Sequence, residues 1–199
     1  MRLNRIRFLM IITLLCSFLA RGQERTMFDI EIAKIKVGSL CTEKIVRDSM
    51  TIYIFRSEVD AGFIKRVKVS HTISCVYIHK KLIRANINSV INGEKYISSV
   101  NWNTDHYDYD CSTYKYHRSG KIIGDIDFSV VKMYFEEPSG NHMVLAENYG
   151  LLCSLNCTKP FTYHLDVDKN SNTFHYANGL MQQVEMDTPL FNYVIKRKT

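Results

Sequence analysis

Apolar and polar residues alternate along most of this chain, and the alternation constrains the fold more than any other feature of the sequence. It is clearest from Val67 to Tyr77, where every second residue is apolar except His71. Similar patterns cover residues 28–32, 83–91 and 161–167. A period of two places successive side chains on opposite faces of a strand, so that one face is buried and the other is solvated. The sequence therefore predicts an all-β protein made mainly of antiparallel strands.

Turn signals separate the alternating segments. Asn92-Gly93 and Asn178-Gly179 predict tight hairpins, because both residue types tolerate positive φ. Ser119-Gly120 and residues 169–172 predict looser connections. We find no internal repeat and no linker, which favours a single β-rich domain over residues 23–199.

One segment, residues 127–135, departs from the alternation. Val130, Val131 and Tyr134 are closer to helical spacing, and Pro138 is a suitable terminator. We therefore predict one short helix near residues 127–135, packed against a single curved antiparallel sheet that forms a half-barrel or open barrel. A flat sandwich is the alternative.

The first residues resemble a secretory signal peptide. Three arginines precede an apolar run over residues 8–20, which is shorter than the roughly 20 residues that cross a bilayer. Small residues then stand at the positions expected for cleavage after Gly22. We predict a cleaved signal peptide over residues 1–22. The alternatives are a membrane anchor and lipidation at Cys16, which the bulky Leu15 disfavours.

Cleavage of the predicted signal peptide would lower the net charge of the chain. The chain has 26 basic and 20 acidic residues, and four of the basic ones lie within residues 1–22. The mature chain thus has 22 basic residues against 20 acidic ones, which argues against a nucleic-acid partner. The arginine-rich start is typical of bacteria. We expect an exported protein in the periplasm or on the outer face of a Gram-negative envelope, where peripheral membrane contact is compatible with the sequence.

Five cysteines follow the predicted signal peptide, so at least one thiol stays outside any internal disulfide. Cys153 and Cys157 flank a short polar segment and are the candidate disulfide. Cys75 and Cys111 lie on apolar faces of predicted strands and are expected to be buried thiols.

Catalytic and metal motifs are weak. The chain has no Gly-x-Ser-x-Gly elbow and no His-Glu-x-x-His helix. The acidic clusters at 105–111 and 166–172 could suggest metal ligands, but a solvated strand face and a hairpin turn explain them better. We predict no catalytic residue, no metal and no cofactor. A hydrolase would need His71 or His106 beside an acid and a nucleophile in an open pocket.

The leading functional hypothesis is a non-catalytic protein that binds a lipid or another apolar or amphipathic ligand between the sheet and the helix. The alternative is a structural or interaction module that binds an envelope protein or glycan through exposed aromatic residues between Trp102 and Tyr116. The predicted ligand-lining residues are Val69, His71, Ile73, Ile87, Trp102, Tyr107, Tyr109 and Tyr134.

Several motifs in the second half resemble a family of uncharacterised exported bacterial β-rich proteins, a domain of unknown function. They are Tyr134 to Gly140, Glu147, Tyr176 to Glu185, and Val194 to Arg197. The resemblance covers about residues 27–198, and it implies an exported location and a β fold but no activity. At the level of fold, the family is similar to the half-barrels of lipoprotein carriers, which hold an acyl chain between a sheet and a short helix. The extra cysteines and the cluster at 105–111 depart from the family pattern.

Overall fold

The computed structural model describes residues 22–62, 66–139, 142–188 and 192–198, and in these ranges fourteen strands form one antiparallel sheet. Apart from Gly22, the predicted signal peptide lies outside the described residues. No helix in the described ranges has the length and apolarity needed to cross a membrane. The strands are β1 (Gln23–Ile32), β2 (Ile35–Arg47), β3 (Met50–Gly62), β4 (Arg66–Ile78), β5 (Lys81–Ile91), β6 (Glu94–Asn103), β7 (His106–Ser112), β8 (His117–Ile123), β9 (His142–Ala146), β10 (Leu151–Lys159), β11 (Thr162–Val167), β12 (Asn170–Ala177), β13 (Leu180–Asp187) and β14 (Tyr193–Arg197).

Two meanders make up the sheet. Strands β1 to β8 follow one another across it, β9 to β13 do the same, and β14 joins the two halves by pairing with β1 and β13. The edges are β8 and β9, which are consecutive in sequence. The described part of the segment that connects them, residues 124–139, is called the plug below. The predicted single curved antiparallel sheet is confirmed as an open barrel that β8 and β9 do not close.

The tight hairpins form where the sequence predicts them. Asn92 and Gly93 have φ values of 51° and 93°, and Asn178 and Gly179 have φ values of 53° and 74°. Positive φ at both central residues is the turn geometry that matches the twist of paired strands. The predicted loop at Ser119-Gly120 is wrong, because both residues lie within β8.

The plug contains one 3-10 turn, Lys132–Tyr134, in place of the short helix predicted near 127–135. Two backbone hydrogen bonds to β9 explain the difference. The Leu145 N–H donates to the Phe128 carbonyl, and the Val130 N–H donates to the Leu145 carbonyl, both at 3.0 Å. Residues bonded in this way to a strand cannot form the i to i−4 bonds of a helix. The first half of the plug is therefore extended.

The plug enters and leaves at one end of the barrel, which we call the closed end. There the Leu82 N–H donates to the Ile126 carbonyl at 2.7 Å, and the Tyr53 hydroxyl donates to Glu136 Oε1 at 2.5 Å. The plug also fills the interior with apolar side chains that pack against both halves of the sheet and form one continuous core. Its buried apolar residues are Ile126, Phe128, Val131, Met133, Tyr134 and Phe135.

Candidate functional site

The inner face of β4 shows how burial changes along the barrel. Tyr77, Cys75 and Ile73 are 2%, 0% and 6% exposed, whereas Val69 and Val67 on the same face are half-buried. Residues two apart in a strand share a face, so these valines also point into the interior. Along β4 the inner face therefore becomes partly accessible to solvent toward the end opposite the plug's entry. We call this part of the interior the cup, and its half-buried inner residues include Val37, Val59, Val69, His71, Met186 and Tyr193.

The floor of the cup is aromatic and combines one ring of the plug with rings of the sheet. The Tyr134 ring lies edge-on to the rings of Phe55 and Phe28, with centroids 5.2 and 5.7 Å apart. The Phe55 ring also lies edge-on to His71, at 5.9 Å. Edge-to-face packing at these distances is the preferred geometry of aromatic pairs. The 3-10 turn thus connects the deep core to the wall formed by β3 and β4.

The opposite wall of the cup carries tyrosine hydroxyl groups. The rings of Tyr116 and Tyr149 lie 6.4 Å apart, and Asn170 Nδ2 donates a hydrogen bond of 3.2 Å to the Tyr149 hydroxyl. Burial raises the pKa of Tyr149 and of Tyr193 to about 12. Both hydroxyls therefore stay protonated and uncharged at neutral pH.

His71 is a polar group on the apolar wall. Its Nδ1 lies 2.5 Å from Ser89 Oγ on β5, and Ser57 of β3 lies opposite it in the ladder. Burial lowers the pKa of His71 to about 4, and no neighbouring charge contributes to this shift. The imidazole is therefore neutral at physiological pH, so that this wall carries no charge at His71 either.

The His71→Gln variant is expected to be less sensitive to acid than the wild type. The folded-state pKa of about 4 lies below the ordinary value of 6.5, so the unfolded chain takes up the proton first as the pH falls. Wild-type stability is therefore lost between these two pH values, by no more than about 3 kcal/mol, because the ring is partly exposed. Urea unfolding of both proteins at about pH 7 and about pH 4 measures the difference. The exposed His117→Gln is the control, and an acid dependence that is equal in wild type and His71→Gln would contradict the prediction.

The eight residues predicted to line a ligand site lie in different environments. Ile73, Ile87, Tyr107 and Tyr134 are buried in the core, with at most 6% exposure. Side chains of the sheet and the plug pack directly against each other around them, so a ligand placed between the two, as predicted, would have to displace core contacts. Val69 and His71 are the predicted residues that reach the cup.

Trp102 and Tyr109 are half-buried on the inner face and have structural partners. Lys81 Nζ lies 3.1 Å from the centroid of the Trp102 ring, a cation–π contact near the closed end. The Tyr109 ring occupies the space beside Gly120 and Gly150, where an added Cβ would come within 2.8 and 2.6 Å of it. The ring thus lies between β8, one edge of the sheet, and the turn that follows β9, the other edge.

The predicted disulfide between Cys153 and Cys157 is wrong. Both residues lie in β10, which is extended from Leu151 to Lys159. Four residues of extended strand separate two Cα atoms by about 13 Å, whereas a disulfide needs no more than about 7 Å. Cys75 and Cys111 are fully buried, as predicted, and burial raises the pKa of Cys111 to about 11.

The arrangement required for a hydrolase is not found around the two predicted histidines. His71 contacts Ser89, but no carboxylate is paired with it among the described residues. His106 contacts Asp105 and Asp108 without a described nucleophile beside them. Within the described ranges, no group of three or more histidine, cysteine and acidic side chains could hold a metal ion.

Two polar residues of the interior were not identified from the sequence as candidate site residues. Glu147 is 2% exposed, and its Oε1 accepts a hydrogen bond of 2.9 Å from the Val131 N–H of the plug. Arg118 lies on β8 opposite the buried Cys111 and is half-buried. The available signals were a single acid directly after the apolar run 143–146, and an arginine two residues from a glycine in an edge strand.

Comparison with known proteins establishes the family but no activity. No curated protein matches the chain. A solved β-barrel-like protein of the domain of unknown function DUF1849, from Brucella abortus, is similar over 90% of this chain and 96% of its own, with a TM-score of 0.57 and 11% identity. At this identity the likeness shows the fold alone. The model of a further domain of unknown function, DUF6134, matches residues 28–198. These matches indicate no catalytic family, confirm the resemblance to an uncharacterised β-rich family, and show that the chain belongs to the DUF6134 family.

Proposed function

We propose that this chain is an exported, non-catalytic protein that holds an apolar or amphipathic ligand in the cup. Export is supported by the arginines and the apolar run at the start of the sequence. A periplasmic or outer envelope location follows from the bacterial character of that start. The ligand occupies the open end of the barrel and leaves the packed core beneath it intact.

The observation that carries the proposal is the loss of burial along one continuous inner face. The ladder pairs Val59 with Val69 and Val69 with Ile91, so three adjacent strands present apolar side chains at the same level. All three are only half-buried. An inward-facing apolar patch that the described residues leave partly uncovered is a suitable surface for an apolar ligand.

The experiment compares two lysine substitutions on neighbouring residues of β4. Val69→Lys places an ammonium group in the cup, whereas Ser70→Lys places it on the outer face, where Ser70 is exposed. We expect Val69→Lys to weaken binding of the neutral fluorescent probe N-phenylnaphthylamine by at least about tenfold, because a charge must be desolvated beside the ligand. Ser70→Lys should bind the probe like the wild type.

Native mass spectrometry of protein from its own host supplies the second readout. A bound apolar mass in the wild type that Val69→Lys lacks supports the proposal. Equal probe binding by both lysine variants, or no probe binding by the wild type, contradicts it. Thermal unfolding of each variant shows whether the fold is retained.

A second candidate function is supported by the closed end. Several of its hairpins carry an exposed apolar side chain near the tip, and such residues favour contact with an envelope protein or with the membrane surface. These residues are Val46, Ile78, Phe161 and Leu180, which are 38%, 37%, 58% and 40% exposed.

A further inference from the structure

Arg118 directs a positive charge toward the cup. It lies in β8, opposite Cys111 of β7, and shares its face with Gly120 and Ile122. Cys111 is fully buried, Ile122 is 9% exposed, and Gly120 lies against the inner ring of Tyr109. Because side chains alternate between the two faces of a strand, Arg118 also points inward.

Among the described residues, the Arg118 guanidinium has no anionic partner. Arg197, which is also half-buried, donates hydrogen bonds to the Met181 carbonyl and to Thr26 Oγ1. Arg118 Cζ instead lies 4.8 Å from the centroid of the Tyr116 ring, and no described residue forms an ion pair or a side-chain hydrogen bond with it. A half-buried cation without a counter-charge is unfavourable, and guanidinium binds carboxylate and phosphate groups in a planar fork.

Tyr116 adds a second unsatisfied polar group at the same place. Its hydroxyl oxygen is buried and has no hydrogen-bond partner among the described residues. Tyr116 also contacts Tyr149, which belongs to the hydroxyl-bearing wall of the cup. The unpaired charge and the unpaired hydroxyl therefore lie at the side of the cup that faces the apolar wall.

We propose, on the basis of the proposed function, that Arg118 binds the carboxylate or phosphate head group of an amphipathic ligand whose apolar chain lies against Val59 and Val69. Strands β8 and β4 are four strand spacings apart, which is at most about 19 Å along the sheet. An apolar chain that extends over up to this distance allows one ligand to reach both walls. The site at Arg118 lies on the edge strand β8.

Three ligands with the same chain and different head groups test this inference: oleate, oleoyl lysophosphatidate and oleyl alcohol. Their dissociation constants are measured by displacement of N-phenylnaphthylamine. We expect the wild type to bind at least one anionic ligand about tenfold or more tightly than the alcohol, since a charge-assisted hydrogen bond is available only to the anions. The tighter of the two anions identifies the head-group chemistry. Added salt should reduce this preference.

The Arg118→Gln variant should lose the preference for anions while it retains the affinity for oleyl alcohol. Arg84→Gln is the matched control, because Arg84 is an exposed arginine opposite Val76 in the ladder and faces outward. If wild type and Arg118→Gln discriminate equally between the ligands, the inference is overturned while the cup remains a binding site. If the wild type binds none of the three ligands, both the inference and the proposed function fail.

Discussion

The Tyr134→Ala variant is expected to lose about 4 kcal/mol of unfolding free energy, the range measured when a buried aromatic ring is deleted. Tyr134 is 4% exposed, and its ring packs against Phe28 of β1 and Phe55 of β3. Among the described residues, the only regular element of the plug is one 3-10 turn. Its position in the barrel therefore depends strongly on side-chain contacts of this kind. Removing the ring leaves a cavity at the point where the plug meets both the deep core and the floor of the cup.

Urea unfolding followed by circular dichroism measures this loss. Tyr114→Ala is the control, because Tyr114 is 51% exposed, and surface substitutions change stability by no more than about 0.5 kcal/mol. A loss below about 1 kcal/mol for Tyr134→Ala would show that the plug collapses onto the space without a cavity. In that case Tyr134 does not anchor the plug, and the description of the floor is incorrect.

The period of two explains why most of the sheet could be predicted from the sequence. In β4 the alternation from Val67 to Tyr77 corresponds to one inward face, and the Asn-Gly pairs fix the hairpins on both halves of the chain. Both signals are local, because they depend on neighbouring side chains and on backbone φ. The pairing of β1 with β14 joins residues from the two ends of the chain, and no local pattern specifies it.

The plug shows where local signals fail. Val130, Val131 and Tyr134 have helical spacing, but β9 binds the backbone on either side of Ser129 and keeps this part extended. Tertiary hydrogen bonds thus override a weak helical pattern. The disulfide prediction for Cys153 and Cys157 is wrong for a related reason. The polar segment between them suggested a short loop, but it belongs to β10, a strand next to the edge of the sheet whose outer face is solvated.

The site was predictable only in part for the same reason. The alternation places Val69, His71, Ile73 and Ile87 on inner faces, which the structure confirms, but it cannot say how deep the plug reaches. Only the three-dimensional arrangement shows that full burial along β4 ends between Ile73 and His71. It also brings Arg118 and the cup residues into one space, although they lie on different hairpins.

Glu147 connects the plug to the rest of the interior. Its Oε1 accepts hydrogen bonds from the Val131 N–H at 2.9 Å and from the Cys75 thiol at 3.6 Å. Its backbone carbonyl lies 3.7 Å from the Cys111 thiol of β7. The carboxyl group therefore links the plug, β4 and the turn after β9, and it satisfies the buried backbone N–H of Val131.

Glu147→Leu should destabilise the protein by about 2–3 kcal/mol, because the buried Val131 N–H is left without an acceptor. Glu147→Gln should lose less, since its amide oxygen can accept the same bond.

The wild type and Glu147→Gln should also differ in the pH dependence of their stability, because burial raises the pKa of Glu147 above its ordinary value of 4.5. The stability that the neutral carboxyl contributes is therefore fully present below pH 4.5 and is lost as the pH rises through the folded-state pKa. Relative to Glu147→Gln, the wild type should thus be more stable in acid than at neutral pH, and urea unfolding across this range measures the difference. A difference that stays constant with pH would show that burial does not raise the pKa of Glu147.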